Sequence, residues 1–277
     1  MSVSPEEFLR RLESKCEIFT TPCGEGEMVW RRWGKGAPLV LLHGGSGSWK
    51  HWVRNIEALA QRREVWAVDL PGMGESAEPP MPTSFIAIAD IVARGFEQLA
   101  PGAKYDIAGF SFGSVVAHHM AHAFPDRVRK IVLINGHMIG PFLAQPRQML
   151  TRWRAVKDPA KFANIMRNNL KALMMSDDSK IDALAIHLYA QDLRLSRIRP
   201  GSLLAQRDHY LVAKIQTPTI VIAGALDPVG HPSVEAQAAE FMAARPDAHM
   251  HILRDTGHWA MYEAPEAVNE LLLAELG

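Results

Sequence analysis

The sequence predicts an α/β fold in which a mostly parallel, doubly wound sheet carries an inserted helical segment. Short apolar runs indicate strands that are covered on both faces, and they span residues 38–42, 64–70, 105–109, 128–135, 219–223 and 250–253. Helical patterns alternate with these runs, at residues 56–60, 85–99, 115–124, 234–244 and 265–276. Such alternation of strands and helices is typical of doubly wound sheets.

Two earlier segments, 16–21 and 27–33, have the pattern of a hairpin that turns around Gly24 and Gly26. We expect this pair to add antiparallel strands at one edge of the sheet. The chain has 277 residues, a length that suits one α/β core with a modest insertion better than two domains of equal size.

The alternation of strands and helices is interrupted once, between residues 137 and 210. Apolar residues recur there at helical spacing, so we interpret this cap segment (137–210) as a helical cap on a core formed by residues 1–136 and 211–277. The cap segment holds 12 Lys and Arg against 6 Asp and Glu. A basic cap over a pocket would attract a carboxylate-bearing small molecule, although a solvated helix surface explains the same count.

Composition limits the expected partners and location. Lys and Arg number 30 and Asp and Glu number 30, a balance that indicates neither a nucleic-acid nor a membrane-surface partner. The polar, acidic start predicts no signal peptide, and no apolar run is long enough to predict a transmembrane helix. We therefore expect a cytoplasmic protein of undetermined oligomeric state. Cys16 and Cys23 fit free thiols better than a disulfide framework.

The segment Gly109-Phe110-Ser111-Phe112-Gly113 lies between a predicted strand and a predicted helix. Gly-x-Ser-x-Gly in that setting is a nucleophile elbow, a tight turn that exposes a serine hydroxyl above the carboxyl edge of a sheet. Side chains at the two glycine positions would collide with the neighbouring strand and helix. We therefore predict that Ser111 is a nucleophile.

A serine hydroxyl at neutral pH needs a base to become a good nucleophile. His258 is the best candidate among 12 histidines, because it follows the last predicted strand at the edge where α/β folds place their sites. Asp227, after the strand 219–223, supplies the acid that orients the base in the chain order Ser, Asp, His. Asp255 is the main competitor, but its position near His258 fits a loop cap better.

An oxyanion intermediate requires backbone N–H donors. One donor is predicted from Phe112, which directly follows the nucleophile. The second is predicted from Gly45, in the glycine-rich loop 43–49 that follows the first parallel strand. Glycines in this loop let the backbone approach a ligand closely.

Together these motifs resemble the α/β-hydrolase superfamily over nearly the whole chain. The matching segments stand in the family's order, at 43–49, 69–76, the Ser111 elbow, Asp227-Pro228 and 257–259. The resemblance implies the α/β-hydrolase fold and a structural role for the loop 69–76. It also supports Asp227 as the acid, because Asn135 ends the strand where some members carry theirs.

The nucleophile and the residues near it limit which branches of the superfamily the chain resembles. Haloalkane dehalogenases and epoxide hydrolases use aspartate where this chain has Ser111. Carbon–carbon hydrolases of meta-cleavage products share the oxyanion glycines, a helical cap and a tryptophan after the histidine, here Trp259. They typically have asparagine before the nucleophile, where this chain has Phe110, whereas the basic cap fits their carboxylate substrates.

Large side chains near the carboxyl edge are the candidates to bind substrate. They are Trp49, Phe110, Met138 and Trp259. Core packing is the usual role of such residues, and a pocket role is the alternative. Among the basic side chains of the cap segment, Arg152, Arg154 and Arg199 are candidates to bind a carboxylate.

His118 and His122 lie four residues apart on a predicted helix, a spacing that metal ligands can have. No third ligand is identifiable, so ordinary packed or exposed histidines are the preferred interpretation and no metal is predicted. The whole pattern predicts a serine hydrolase that cleaves a small carboxylic ester through an acyl-enzyme and needs no cofactor. A carbon–carbon hydrolase of diketo acids, an amidase or peptidase, and a non-catalytic ligand receptor are the alternatives.

Overall fold

The computed structural model describes residues 3–136, 150–199, 203, 214–230 and 233–277. Within these ranges one eight-stranded sheet has the order β1-β2-β4-β3-β5-β6-β7-β8. Its strands are β1 (Glu17–Cys23), β2 (Gly26–Trp33), β3 (Ala37–Leu42), β4 (Arg63–Val68), β5 (Tyr105–Phe110), β6 (Val128–Ile134), β7 (Thr219–Gly224) and β8 (His249–Leu253). The β1–β2 and β2–β4 pairs are antiparallel and the others parallel. The predicted parallel sheet with an antiparallel hairpin at one edge is therefore confirmed.

Helices connect the strands across both faces of the sheet. They are α1 (Pro5–Glu13), α2 (Ile56–Leu59), α3 (Phe85–Leu99), α4 (Phe112–Ala123), α5 (Pro159–Leu173), α6 (Ala183–Leu195), α7 (Val234–Ala244), α8 (Ala260–Glu263) and α9 (Pro265–Leu276), with short 3₁₀ helices at Trp49–Trp52 and Asp178–Lys180. Side chains of Ser84 and Asp182 accept first-turn N–H groups and so fix the starts of α3 and α6.

Alternate residues of the central strands supply two separate cores. Leu39 and Leu41 of β3 belong to one apolar cluster, and Val40 and Leu42 belong to the other. All four are fully buried. This two-sided burial is the reason that the strands appear in the sequence as continuous apolar runs rather than as alternating ones.

The amino ends of the parallel strands are joined by a buried charged cluster. One carboxylate oxygen of Asp106, at the start of β5, accepts hydrogen bonds from the guanidinium groups of Arg63 and Arg129. Arg63 also donates to the carbonyl oxygens of Ala37, Pro38 and Leu276. The cluster therefore ties β3, β4 and β5 to the end of α9.

Helices α5 and α6 lie in the predicted cap segment, whose predicted limits fall outside the described residues. The division into core and cap therefore stays a prediction. Cys16 and Cys23 are both free thiols in the structure. Among the described helices, none is at once long enough and apolar enough to cross a bilayer.

Candidate active site

Ser111 lies on a strained turn between β5 and α4. Its φ of 50° and ψ of −110° lie outside the regions that side chains with a β-carbon favour. A β-carbon at Gly109 would lie 2.5 Å from the Gly113 carbonyl oxygen, and one at Gly113 would lie 2.5 Å from the Leu42 carbonyl oxygen. The turn therefore requires glycine on both sides of the serine, as the elbow motif predicts.

Three of the predicted residues form one hydrogen-bonded relay. His258 Nε2 lies 3.0 Å from Ser111 Oγ, and His258 Nδ1 lies 2.7 Å from Asp227 Oδ2. Because the carboxylate accepts from Nδ1–H, the hydrogen-bond network assigns the Nε2 lone pair to the serine hydroxyl. Asp227 Oδ1 is held in turn by the Val229 N–H at 2.8 Å. Asp255, the competing acid, is exposed.

Asn135 holds together the two loops that carry Asp227 and His258. It follows β6 with a φ of 46°, and its amide nitrogen donates to the carbonyl oxygens of Gly257 and His258 at 3.1 and 2.7 Å. Its amide oxygen accepts the Gly224 N–H at 2.8 Å. The sequence indicated Asn135 only as a position where some family members carry the acid. In the structure it links the two loops by hydrogen bonds.

Glu263 connects the histidine loop to the cap segment, a role that the sequence analysis missed. One of its oxygens accepts the Gly257 N–H at 2.7 Å. The other accepts the Ser176 N–H at 2.9 Å, the Ser176 hydroxyl at 2.7 Å and the Asp177 N–H at 2.7 Å. Four donors compensate this buried carboxylate, so it fixes the backbone next to His258.

The predicted oxyanion donors stand at the same sheet edge as Ser111. Leu42 pairs with Gly109 in the parallel β3–β5 ladder, so the loop after β3 and the turn after β5 leave the sheet side by side. Phe112 is the first residue of α4, where N–H groups have no partner within the helix. Within the described residues, neither the Gly45 N–H nor the Phe112 N–H donates a hydrogen bond to a backbone carbonyl.

Two buried histidines stabilise the loop that contains Gly45. His43 Nδ1 donates to the Gly44 carbonyl oxygen at 2.8 Å, and its Nε2 accepts the Leu70 N–H at 2.9 Å. His51 Nδ1 accepts the Gly44 N–H at 3.2 Å. Burial lowers the pKa of both rings, that of His51 well below its ordinary value. Both are therefore neutral at physiological pH, and they hold the loop by hydrogen bonds rather than by charge.

A cavity of about 450 Å³ lies between this loop and the cap segment. Gly45, Ser46 and His51 line it on the core side, whereas Ser111 and His258 are not among its lining residues. From the cap segment it is lined by Leu150, Trp153, Arg154, Leu173, Met174, Tyr189, Leu193, Ser196, Ile198 and Arg199. An apolar cavity with a few polar groups at its boundary is typical of small-molecule sites.

Several of the basic side chains in the described cap segment are bound within the protein. Lys171 pairs with Asp178, Arg167 donates to the carbonyl oxygens of Asp178 and Ile181, and Arg197 donates to those of Gly74 and Ser76. Arg154 is different, because it is exposed, borders the cavity and lies over the Trp153 ring at 5.2 Å. Arg199 borders the same cavity, whereas Arg152 is not among its lining residues.

Three of the predicted substrate-binding residues are buried beneath the site. Trp49 and Trp259 are fully buried and Phe110 is 1% exposed, and none of them lines the cavity. Phe110 packs against the rings of His51 and His258, and the Trp259 indole N–H donates to the His51 carbonyl oxygen at 2.9 Å. Met138 lies outside the described residues. Substrate contact by these four side chains stays a prediction.

The histidines of α4 take no part in this arrangement. His118 is buried, and burial lowers its pKa to about 3, so it is neutral at physiological pH. Across the described ranges, no group of three or more His, Cys, Asp or Glu side chains is arranged to hold a metal ion.

Comparison with known proteins identifies one family for most of the chain. Residues 37–265 match the family model of the alpha/beta hydrolase fold. The matched range includes β3 to β8 and all three residues of the relay. This match covers most of the chain.

Individual relatives share about a quarter to a third of their residues with the chain. A dihydrolipoyllysine-residue acetyltransferase component of an acetoin cleaving system from Pseudomonas putida is 29% identical over 87% of the chain, which spans 64% of that relative. A poly(3-hydroxyalkanoate) depolymerase from Ectopseudomonas oleovorans is 28% identical, over 85% of the chain and 83% of the relative.

A 2-hydroxy-6-oxononadienedioate/2-hydroxy-6-oxononatrienedioate hydrolase from Paraburkholderia phymatum is 27% identical over 86% of each chain. Two of these three relatives are thus hydrolases that align over most of both chains. With the family match, the sheet order and the strained serine turn, the chain belongs to the α/β-hydrolase fold family and is a hydrolase of that family.

Proposed function

We propose that this protein is a serine hydrolase that cleaves small carboxylic esters through an acyl-enzyme. The observation that carries the proposal is the relay from Ser111 Oγ to His258 Nε2 at 3.0 Å and from His258 Nδ1 to Asp227 Oδ2 at 2.7 Å. A hydroxyl, an imidazole and a carboxylate in this order are the groups that acyl transfer requires.

In the first half of the reaction, Ser111 Oγ attacks the ester carbonyl carbon while His258 Nε2 takes its proton. The resulting imidazolium is stabilised by Asp227, which stays ionised. The carbonyl oxygen becomes an oxyanion that accepts hydrogen bonds from the N–H groups of Gly45 and Phe112. Donors of this kind contribute about 10²- to 10³-fold to the rate.

The tetrahedral intermediate then collapses. The bond from carbon to the leaving oxygen breaks, and His258 gives its proton to the alcohol, so that the acyl group stays on Ser111. In the second half, His258 takes a proton from water as the water attacks the acyl carbon. Collapse of the second intermediate returns that proton to Ser111 Oγ and releases the acid.

The cavity supports a small substrate that carries a carboxylate. Its volume of about 450 Å³ is within the range of small-molecule sites. Most of its cap-side lining is apolar, and Arg154 and Arg199 add cationic groups at its boundary. A guanidinium binds a carboxylate by paired hydrogen bonds, so a small acidic ester fits this cavity better than a long lipid.

Hydrolysis of a carbon–carbon bond in a diketo acid is the second candidate. The same two arginines favour it, because the dienedioate named for the Paraburkholderia phymatum relative is a dicarboxylate. Phe110 favours the ester instead, since the meta-cleavage hydrolases typically carry a polar asparagine there. The depolymerase relative also favours the ester, because poly(3-hydroxyalkanoates) are polyesters.

Turnover of a nitrophenyl ester and of a dienoate ring-cleavage product by the same preparation separates the two candidates. We expect kcat/KM for the ester to exceed that for the dienoate by at least about tenfold. A preference for the dienoate would contradict the ester proposal and favour carbon–carbon hydrolysis. A panel of aminoacyl amides tests the amidase alternative in the same way.

Arg154→Leu tests the proposed carboxylate contact. We expect it to raise KM for a carboxylate-bearing ester by about tenfold, the value of one charged hydrogen bond, and to leave KM for a neutral ester within twofold. Arg194→Leu is the matched control, because Arg194 lies over Phe162 and not in this cavity. An equal effect of Arg154→Leu on both esters would contradict the proposed contact.

A further inference from the structure

Asp192 brings a buried carboxylate from the cap helix α6 onto the loop that contains Gly45. It is 1% exposed, and its Oδ1 accepts the hydroxyl of Ser48 at 2.7 Å. The Oδ2 atom has no hydrogen-bond partner within the described residues and lies 3.9 Å from His51 Nε2. One side chain of the cap segment thus contacts Ser48 of the loop 43–49 and lies near His51 of the 3₁₀ helix that follows it.

Those two residues fix the conformation of the loop. Ser48 Oγ accepts the Lys50 N–H at 3.3 Å and so begins the 3₁₀ helix that carries His51. His51 Nδ1 in turn accepts the Gly44 N–H at 3.2 Å. The bond from the Gly44 N–H to His51 fixes the peptide group between His43 and Gly44, which directly precedes the peptide group that carries the Gly45 N–H.

Burying this carboxylate costs folding free energy that its contacts offset only in part. Burial raises the pKa of Asp192 to about 7, against the opposing effects of Lys50 and the Ser48 hydroxyl. The neighbouring carboxylate of Asp69 raises it further. His51 is neutral and presents an Nε2–H dipole rather than a full charge. An apolar residue would suit packing alone, so a costly buried group at a candidate site indicates a functional role.

We propose that Asp192 is a positioning residue that fixes, through Ser48 and His51, the loop that supplies an oxyanion donor. This inference rests on the proposed function, because it assigns the Gly45 N–H to the oxyanion. The proposal implies that the oxyanion hole depends on the position of α6. The reason is that the Ser48 hydroxyl, which begins the 3₁₀ helix, is held by a residue of the cap segment. Asp192 itself touches no reacting atom.

The test compares Asp192→Leu, which removes the acceptor, with Asp192→Asn, which keeps an oxygen for the Ser48 hydroxyl. We measure kcat and KM for a nitrophenyl ester, the affinity of a trifluoromethyl ketone, and the rate at which a fluorophosphonate labels Ser111. The ketone and the fluorophosphonate both develop an oxyanion on reaction with the serine. Substrate binding before the reaction develops no oxyanion. KM therefore reports on binding, whereas the ketone affinity and the labelling rate report on oxyanion stabilisation.

We expect Asp192→Leu to lower kcat, ketone affinity and labelling rate each by about 10- to 100-fold, part of the effect of losing one oxyanion donor. KM should stay within about twofold, and Asp192→Asn should restore most of the loss. Asp182→Asn is the matched control, because Asp182 also joins α6 to the core, through Arg54 and Tyr262, without contacting the loop. It should lower Tm and leave kcat within twofold.

An Asp192→Leu protein with unchanged kcat, ketone affinity and labelling would overturn the inference. Where that variant fails to fold, Ser48→Ala tests the same contact from the core side and should lower kcat about tenfold, with KM within about twofold. An unchanged kcat in Ser48→Ala would then overturn the inference. Wild-type protein that neither turns over esters nor labels at Ser111 would instead refute the proposed function, and the inference with it.

Discussion

Strand β5 carries a buried charged cluster at its amino end and the serine relay at its carboxyl end. At the amino end, Asp106 is fully buried and accepts from Arg63 and Arg129. At the carboxyl end, Asp227 is also buried but pairs with His258, which in turn faces Ser111. At each end, therefore, a buried aspartate lies beside a cationic or potentially cationic side chain that offsets its negative charge.

The partners of the two aspartates decide what each end can do. A guanidinium does not release a proton in proteins, so Asp106 with its arginines can only hold the strands together. An imidazole can accept a proton on one ring nitrogen and release it again, so the Asp227–His258 pair has the groups needed to pass a proton to and from a hydroxyl. We therefore expect changes at the carboxyl end to affect rate and changes at the amino end to affect stability.

Ser111→Ala should have the largest effect. Removing the nucleophile should lower kcat by at least about 10⁴-fold and abolish fluorophosphonate labelling. The free energy of unfolding should change by less than about 1 kcal/mol, since the hydroxyl is only partly buried. Rates with a nitrophenyl ester and urea unfolding check both parts. Retained activity in this variant would overturn the proposed mechanism.

Asp227→Asn should lower kcat by about 10³- to 10⁴-fold. An amide at this position donates to Nδ1 and so favours the tautomer whose Nε2 is protonated and cannot accept the Ser111 proton. Tm should change little, because the amide keeps the volume of the carboxylate and an oxygen for the Val229 N–H. A loss of stability that matched the loss of rate would contradict the distinction between the two ends.

Asp106→Asn should show the reverse pattern. It leaves the buried Arg63 guanidinium without its carboxylate, and breaking a buried pair from one side costs about 4 kcal/mol. Urea unfolding at neutral pH measures this loss, and kcat of the folded variant should stay within about twofold of wild type. A variant of normal stability with a reduced kcat would show that the amino end contributes to the reaction.

Asp192 lies between these two extremes, and its stability effect should depend on pH. Its pKa of about 7 in the folded protein is above the ordinary 3.8, so the folded state is not penalised while the carboxyl is protonated. The penalty for ionising it grows as pH rises from about 4 toward 7. Between pH 4 and pH 6, wild type should lose about 2 kcal/mol of stability relative to Asp192→Asn.

Urea unfolding of both proteins across that range measures the difference. The comparison with Asp192→Asn removes the contributions of other titrating groups, including Lys50 and Asp69, which face the same carboxyl. Parallel stability curves for the two proteins would contradict a raised pKa at Asp192. The result bears on Asp192 alone and leaves the assignment of the relay unaffected.

Features with a local cause were predictable from the sequence. Strands buried on both faces need continuous apolar runs, and a serine on a tight strand-to-helix turn needs the glycines at 109 and 113. The chain order of the relay follows from the order of the strands. Helix α4 begins at Phe112 rather than near Val115, because it starts directly from the strained turn and its glycine obscures the helical pattern.

Short or isolated features escaped prediction for an equally local reason. The 3₁₀ helix Trp49–Trp52 and the helix Ala260–Glu263 are only four residues long and give little periodic signal, although Ile56–Leu59, of the same length, was predicted. Helix α1 was not predicted either, although the Ser4 N-cap and Pro5 at its start are signals of a helix N-terminus. Composition and position along the chain do not distinguish a side chain that lines a cavity from one packed behind it, so substrate contact by Trp49 and Trp259 stays a prediction.

The sequence by itself determined the parallel sheet, the strained serine turn and the residues able to form a relay, because each depends on neighbours along the chain. The tertiary structure alone decided the supports. Asn135 holds Gly257 and His258 from more than 120 positions away, Glu263 holds Ser176 across 87, and Asp192 holds Ser48 across 144. The role of a buried polar side chain depends on the group with which it forms hydrogen bonds in the folded protein, and no local sequence pattern identifies that partner.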